Sequence, residues 1–289
     1  MKVYVKYKSI LLIVIFLVCH FSLFAQDTEQ MRIQRIRIGD SSYLKYYDKS
    51  LNLNFVTGDS SAIMNHYPVP IEIDSWESYE VEEFVKLIEK YKLHILSQYP
   101  TSVIVEHLDT LILIKSGGFF SDNLSDGKQS SRFSFAYNEQ KAILMNILLN
   151  NSSHIYRVRS VFNHEFGHIL TMNHLSQIED AWKLLIPDSF EYWEDVRLSG
   201  RSYDEEYYSK VNQIKNGFVT GYSQTNMLED LAETADVALR ANEEYESLIL
   251  QSSIIKKKIE LIYKLYESID SAMDEDWFES VRISRSKIK

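Results

Sequence analysis

The stretch "FNHEFGHIL", residues 162–170, holds two histidines four positions apart, His164 and His168, with Glu165 directly after the first. It lies in a run from about Ile155 to Met172 in which Ile155, Val158, Phe162 and Ile169 recur at helical spacing, so an amphipathic helix is expected. Four helical residues advance about 400°, which brings the two imidazoles to one side, a turn apart. Rings so placed can share one metal ion at about 2 Å each. Glu165, turned by about 100° from His164, stands near such an ion without replacing a ligand. There it can take a proton from water whose pKa a zinc ion lowers to about 7. The plain alternative is two polar residues on an amphipathic helix with no metal.

A third ligand has two candidates. His174 follows His164 by ten positions, the spacing of the metzincins. In that family a glycine between the second and third histidines ends the helix sharply, and this chain has Thr171 there. A β-branched residue is ill suited to the positive φ of such a turn, so the helix is expected to continue past Thr171. Histidine near a helix C-terminus is common for dipole reasons alone. The other candidate is Glu229, which opens "EDLAE" 61 positions after His168, on a segment with helical spacing. Gluzincins take their third ligand from such a separate helix. Glu233, four residues later on the same face, can accept a hydrogen bond from the second nitrogen of a ligand imidazole. A lone pair of glutamates at this spacing reads as a solvated acidic face; beside His164 and His168 the balance favours Glu229 over His174.

"HEFGH" followed by "YSQTNMLEDLAE" resembles the gluzincin pattern of the anthrax lethal factor catalytic domain and its relatives. In those enzymes a tyrosine seven positions before the ligand glutamate stabilises the transition state, and the resemblance implies that role for Tyr222. A closer resemblance is to the zinc-binding metallopeptidase lipoproteins of Bacteroidota, carried by "GFVTGYS" and "EDLAE" and running from about Ser75 to the C-terminal helix. Leu231 departs from the phenylalanine usual in that family, which is a packing change. The resemblance implies an α+β, zincin-like fold: a small mixed sheet, an active-site helix and a helical C-terminal half. It implies Zn2+ held by His164, His168 and Glu229, with Glu165 and Tyr222 catalytic, Glu233 supporting, and a peptide or protein as substrate. A catalytically inactive binding protein that keeps the fold is the alternative, and the intact Glu165 argues against it.

The N-terminus, "MKVYVKYKSILLIVIFLVCHFSLFAQ", has a basic start (Lys2, Lys6, Lys8), an apolar run from Ile10 to Cys19, and Ala25. This reads as a signal peptide cleaved after Ala25, because the apolar run is short for a membrane span. The expected location is therefore secreted, periplasmic or at the cell surface. An uncleaved anchor is one alternative. Lipidation of Cys19 is another, although Val18 precedes it where a small residue is wanted, and only lipidation would make a membrane a partner. Cys19 is the one cysteine, so a chain cut after Ala25 has neither disulfides nor thiol chemistry. Losing three lysines would take the formal charge from −10 to −13. No basic stripe is present to neutralise phosphates, so nucleic acid is not an expected partner.

After the signal the chain is expected to divide into an N-terminal extension with short strands (26–74) and the metallopeptidase domain (75–289). "RIQRIRIG" and "LNLNFVTG" alternate as strands, "LDTLILIKSGG" reads as a buried strand, and "SRFSFAYNEQKAILMNILL" as a hairpin around Asn138. "KAILMNI" is a candidate edge strand for an extended substrate, with a plain core strand as the alternative. Val81, Phe84, Leu87, Ile88, Tyr91 and Ile95 predict a helix that Pro100 stops. Residues 187–218 are aromatic and irregular, and helices resume from about Asn226. Strands first and helices after indicate an α+β order.

Overall fold

A computed structural model describes residues 33–66, 73–119, 134–146, 152–198, 210–240, 246 and 250–286. The expected signal peptide, with Cys19 and Ala25, lies outside the described residues, as do residues 199–209 of the aromatic segment. The front half alternates β1 (Gln34–Ile38), β2 (Ser41–Asp48), β3 (Leu53–Gly58), α1 (Ser60–His66), β4 (Ile73–Glu77), α2 (Val81–His94), α3 (Thr101–His107), β5 (Thr110–Ile114), β6 (Ser116–Phe119), β7 (Ser134–Tyr137) and β8 (Ala142–Asn146). From residue 152 the described elements are helical: α4 (Ser152–Asn173), α5 (Glu179–Lys183), α6 (Trp193–Leu198), α7 (Lys210–Lys215), α8 (Met227–Leu239), α9 (Ser253–Ile269) and α10 (Glu275–Ser286). This is the mixed α+β fold with a small sheet and a helical C-terminal half.

Six strands form the main sheet in the order β1-β2-β3-β5-β8-β7, and β4 pairs with β6 in a second, two-stranded sheet. The β3–β5 and β5–β8 ladders are parallel and the other ladders of the main sheet are antiparallel. All five residues of β5, TLILI, are buried, as expected of a parallel strand covered on both faces. Its side chains alternate: Leu111 and Leu113 enter the larger core with the helices, while Ile112 and Ile114 enter a smaller one closed by Ala62 and Ile63 of α1. Strands of the expected N-terminal extension supply half of this sheet, since β3 pairs directly with β5. The expected hairpin is β7–β8, turned by Asn138–Gln140 and by Lys141 at φ 45°. Strand β8 is paired on both sides, so the edge is β7 and not the "KAILMNI" strand.

Helix α4 crosses behind this edge. Val158, Phe162, Phe166, Ile169 and Leu170 are all fully buried on it, at the spacing that makes a single apolar face. Burial of each such side chain contributes about 1.5–3 kcal/mol. The helix continues through Thr171, whose hydroxyl donates to the Gly167 carbonyl at 2.7 Å, and ends at Asn173. Against it lies α8, apolar at Leu231, Ala232, Ala235, Val237, Ala238 and Leu239.

The two helices meet at Gly167. A Cβ built there would lie 3.4 Å from the Ala235 Cβ and 3.5 Å from the Ala232 Cα, which is ordinary contact. Space therefore exists for one methyl group and no more. Glycine inside a helix costs about 1 kcal/mol against alanine. Gly167→Ala is expected to raise the melting temperature, whereas Gly167→Leu forces α8 away and lowers it by several degrees. Thermal melts of both variants check this, and a destabilised alanine variant would contradict the spacing.

Candidate metal centre

The N-terminus of α8 is built around Asn226. Its side chain accepts the Glu229 backbone N–H at 2.9 Å, an N-cap that contributes about 1 kcal/mol. The cap places Glu229 in the first turn, facing α4. Its Oε2 atom lies 3.2 Å from His164 Nε2 and 3.3 Å from His168 Nε2, and the two Nε2 atoms are 3.2 Å apart. Among the described residues this trio is the group of side chains disposed to hold a metal ion. Donors around a tetrahedral zinc at about 2.0 Å stand about 3.3 Å apart, so the triangle has the edge lengths that the ion requires.

The hydrogen bonding supports the same fit. Glu229 Oε2 is buried and faces both imidazoles at close range. The other carboxylate oxygen, Oε1, accepts from the Tyr222 hydroxyl at 3.1 Å. The Tyr222 ring is half-exposed and its centroid is 6.0 Å from that of His164. On the far side of His164, Nδ1 is 3.0 Å from Glu233 Oε1. Two imidazole nitrogens and a carboxylate oxygen, flanked by an outer carboxylate, are a donor set that suits zinc.

Glu165 lies beside the trio and is only 7% exposed. Burial raises its pKa above the ordinary carboxylate value, with His164 and His168 opposing the shift. The backbone N–H of Ala136 on β7 donates to it, so the outer side of the edge strand opens toward the same site. His174 is elsewhere. It stands past the end of α4, its ring 5.7 Å from that of His107 and its Nδ1 3.2 Å from the Gln177 amide. It does not belong to the trio.

Other residues hold the helices without touching the trio. Asn163 accepts from the Tyr99 hydroxyl at 2.9 Å and reaches Asp236 on α8 at 3.5 Å, while Ser160 donates to Asp236 at 2.7 Å and Arg240 pairs with the same carboxylate. At the opposite end of α8, Asp230 is paired with Lys258 inside the core. Sequence reasoning had not singled these residues out. A signal existed for Lys258, which falls on the apolar stripe of α9 between Ile255 and Ile262, and for the cap of α8, since Asn226 stands three residues before Glu229.

The fold and geometry define a class of protein with a candidate metal site, two histidines and a glutamate on two crossing helices beside a sheet edge. The family model described as "Putative zinc-binding metallo-peptidase" matches residues 122–273, more than half of the chain and inclusive of His164, Glu165, His168, Tyr222, Glu229 and Glu233. The chain belongs to that family. A solved structure of a "putative zinc-binding metallo-peptidase" from Bacteroides caccae ATCC 43185 is similar over 70% of this chain and 76% of that one, at 19% identity and a TM-score of 0.42. No curated protein matches.

The metal-free protein has a pH signature. Burial works against protonation of His164, but Glu229 and Glu233 outweigh it and raise its pKa to about 10. Burial works in the opposite direction on Glu229, and His164 and His168 lower its pKa to about 2. The raised histidine stabilises the fold fully below its ordinary 6.5, and the contribution is lost as pH rises through about 10. The lowered glutamate stabilises fully above its ordinary 4.5 and loses this as pH falls through about 2. Both shifts arise in the same charge cluster, whose stabilising contribution is complete between those ordinary values. Melts in the presence of a chelator are expected to show a stability maximum there that Glu229→Gln flattens. Parallel pH profiles for the two proteins would contradict the assignment.

Proposed function

We propose that this chain is a secreted zinc-dependent peptidase of the gluzincin type. His164, His168 and Glu229 are its metal ligands, with Glu233 supporting His164. The observation that carries the reading is the triangle of three donor atoms, 3.2–3.3 Å on a side, with a buried carboxylate next to it. Bound zinc supplies a Lewis acid for the scissile carbonyl and makes water nucleophilic near neutral pH.

Glu165 is the general base and then the general acid. Its raised pKa lets it accept a proton and return it to the leaving amine, the two halves of one transfer. The Tyr222 hydroxyl, which donates to Glu229 here, can turn on its half-exposed ring to donate to the substrate oxygen as negative charge develops. An extended peptide can add to the outer side of β7, where the Ala136 N–H already points at Glu165. This uses the edge strand to align the bond to be cut. Secretion rests on the N-terminal sequence pattern.

The test is zinc content and proteolysis of the purified protein and three variants. Wild type is expected to hold about one zinc per chain, kept by His174→Gln and lost by Glu229→Gln. Glu165→Gln is expected to keep the metal and lose at least about a hundredfold in cleavage of a general protein substrate. Equal cleavage by wild type and Glu165→Gln would leave the inactive binding protein as the better description. Loss of zinc in His174→Gln alone would move the third ligand.

A further inference from the structure

We infer that the buried Asp230–Lys258 ion pair is the positioning element of the metal centre, holding the first turn of α8 where Glu229 can share a metal with the α4 histidines. The inference rests on the reading of the site proposed above. Asp230 and Lys258 are both fully buried. One oxygen, Asp230 Oδ2, accepts from Lys258 Nζ at 2.6 Å, Trp182 Nε1 at 3.0 Å and the Tyr192 hydroxyl at 3.0 Å. These donors come from α9, from α5 and from the segment leading into α6. The ammonium also lies 4.2 Å from the centroid of Phe218 and 5.2 Å from that of Trp182, in the range of a cation–π contact.

Two of the segments gathered there carry the site. Asp230 follows Glu229 directly, and Phe218 precedes Tyr222 by four residues. Gly217 makes the second link possible: its φ is 85°, and a Cβ there would lie 2.2 Å from Ile254. On a helix, neighbouring residues differ by about 100° in direction, so Asp230 points into the core while Glu229 points at α4. Asp230 therefore acts on the ligand through the backbone, as a positioning residue.

A purely structural role explains the pair poorly. Removing two charges from water offsets most of their attraction, and an apolar pair of similar volume commonly folds at least as well. What the charged pair adds is direction. Apolar side chains in the same place would let α8 slide or rotate slightly, whereas three donors converging on one oxygen do not. A metal site needs its ligands within about 0.5 Å of their working positions.

The test compares the full chain with a double variant, Asp230→Asn with Lys258→Met, which leaves no unpaired charge inside. Chelator competition measures the zinc dissociation constant, cobalt(II) absorption reports ligand geometry, and thermal melts report the fold. The expected result is a folded double variant that melts close to wild type, binds zinc about 10- to 100-fold more weakly and has displaced cobalt bands. Zinc affinity within about twofold of wild type, with an unchanged cobalt spectrum, overturns the inference while the site reading stands. Should the double variant not fold, Tyr192→Phe decides, because it removes one donor and keeps the ring and both charges. It is expected to weaken zinc binding about threefold without moving the melting temperature, and unaltered binding overturns the inference. Wild-type protein that binds neither metal overturns the site reading and this inference together.

Discussion

Helix α4 carries two of the candidate donors and helix α8 the third, so the site exists only while these helices cross closely at a set angle. Small residues permit the approach: Gly167 faces Ala232 and Ala235 at ordinary contact distance. Polar bonds hold it at two places. Asp236 ties the later turns of α8 to Ser160 and Asn163 of α4, and Asp230 ties its first turn to Lys258, Trp182 and Tyr192. Between them the apolar faces exclude water. Apolar packing supplies most of the stability of such a crossing, and directional bonds choose one arrangement of it.

The charge balance at the crossing accounts for the chemistry. Glu165, Glu229 and Glu233 surround two imidazoles in a partly buried space. Without a cation, such a group can relieve its negative charge only by holding protons, and the His164 pKa, raised by Glu229 and Glu233 against the effect of burial, expresses this. A metal ion competes with those protons for the same nitrogen atoms, so binding is coupled to proton release. Glu165 is the carboxylate left outside the trio, and burial keeps it ready to hold a proton. The edge strand β7 approaches that same residue through Ala136, which joins the sheet to the site.

Much of the fold was legible where the pattern was local. The run 155–172, the stripe of α2, the five apolar residues of β5 and the turn at Asn138 each show their element in residue spacing alone. Strand β2 shows no clean alternation, and its burial follows from having a partner on both sides. Which strand forms the edge was not legible either: β8 and β7 look alike in sequence, and only the pairing of β8 with both β5 and β7 separates them. Lys258 sits on an apolar stripe with no sign of its partner, because Asp230 lies 28 residues away on another helix.

By itself the sequence determined that His164 and His168 share a helix face with Glu165 beside them, since the period of a helix fixes directions over a turn or two. It also made Thr171 a residue through which α4 continues, and put Asn226 where it can cap α8. Only the tertiary structure decided which residue completes the trio, bringing Glu229 to 3.2 and 3.3 Å from the histidines and leaving His174 near His107. The reason is physical. Helical periodicity carries no information across 61 residues, and the distance between Glu229 and His168 is set by how α8 packs on α4, through Gly167, Asp236 and Asp230.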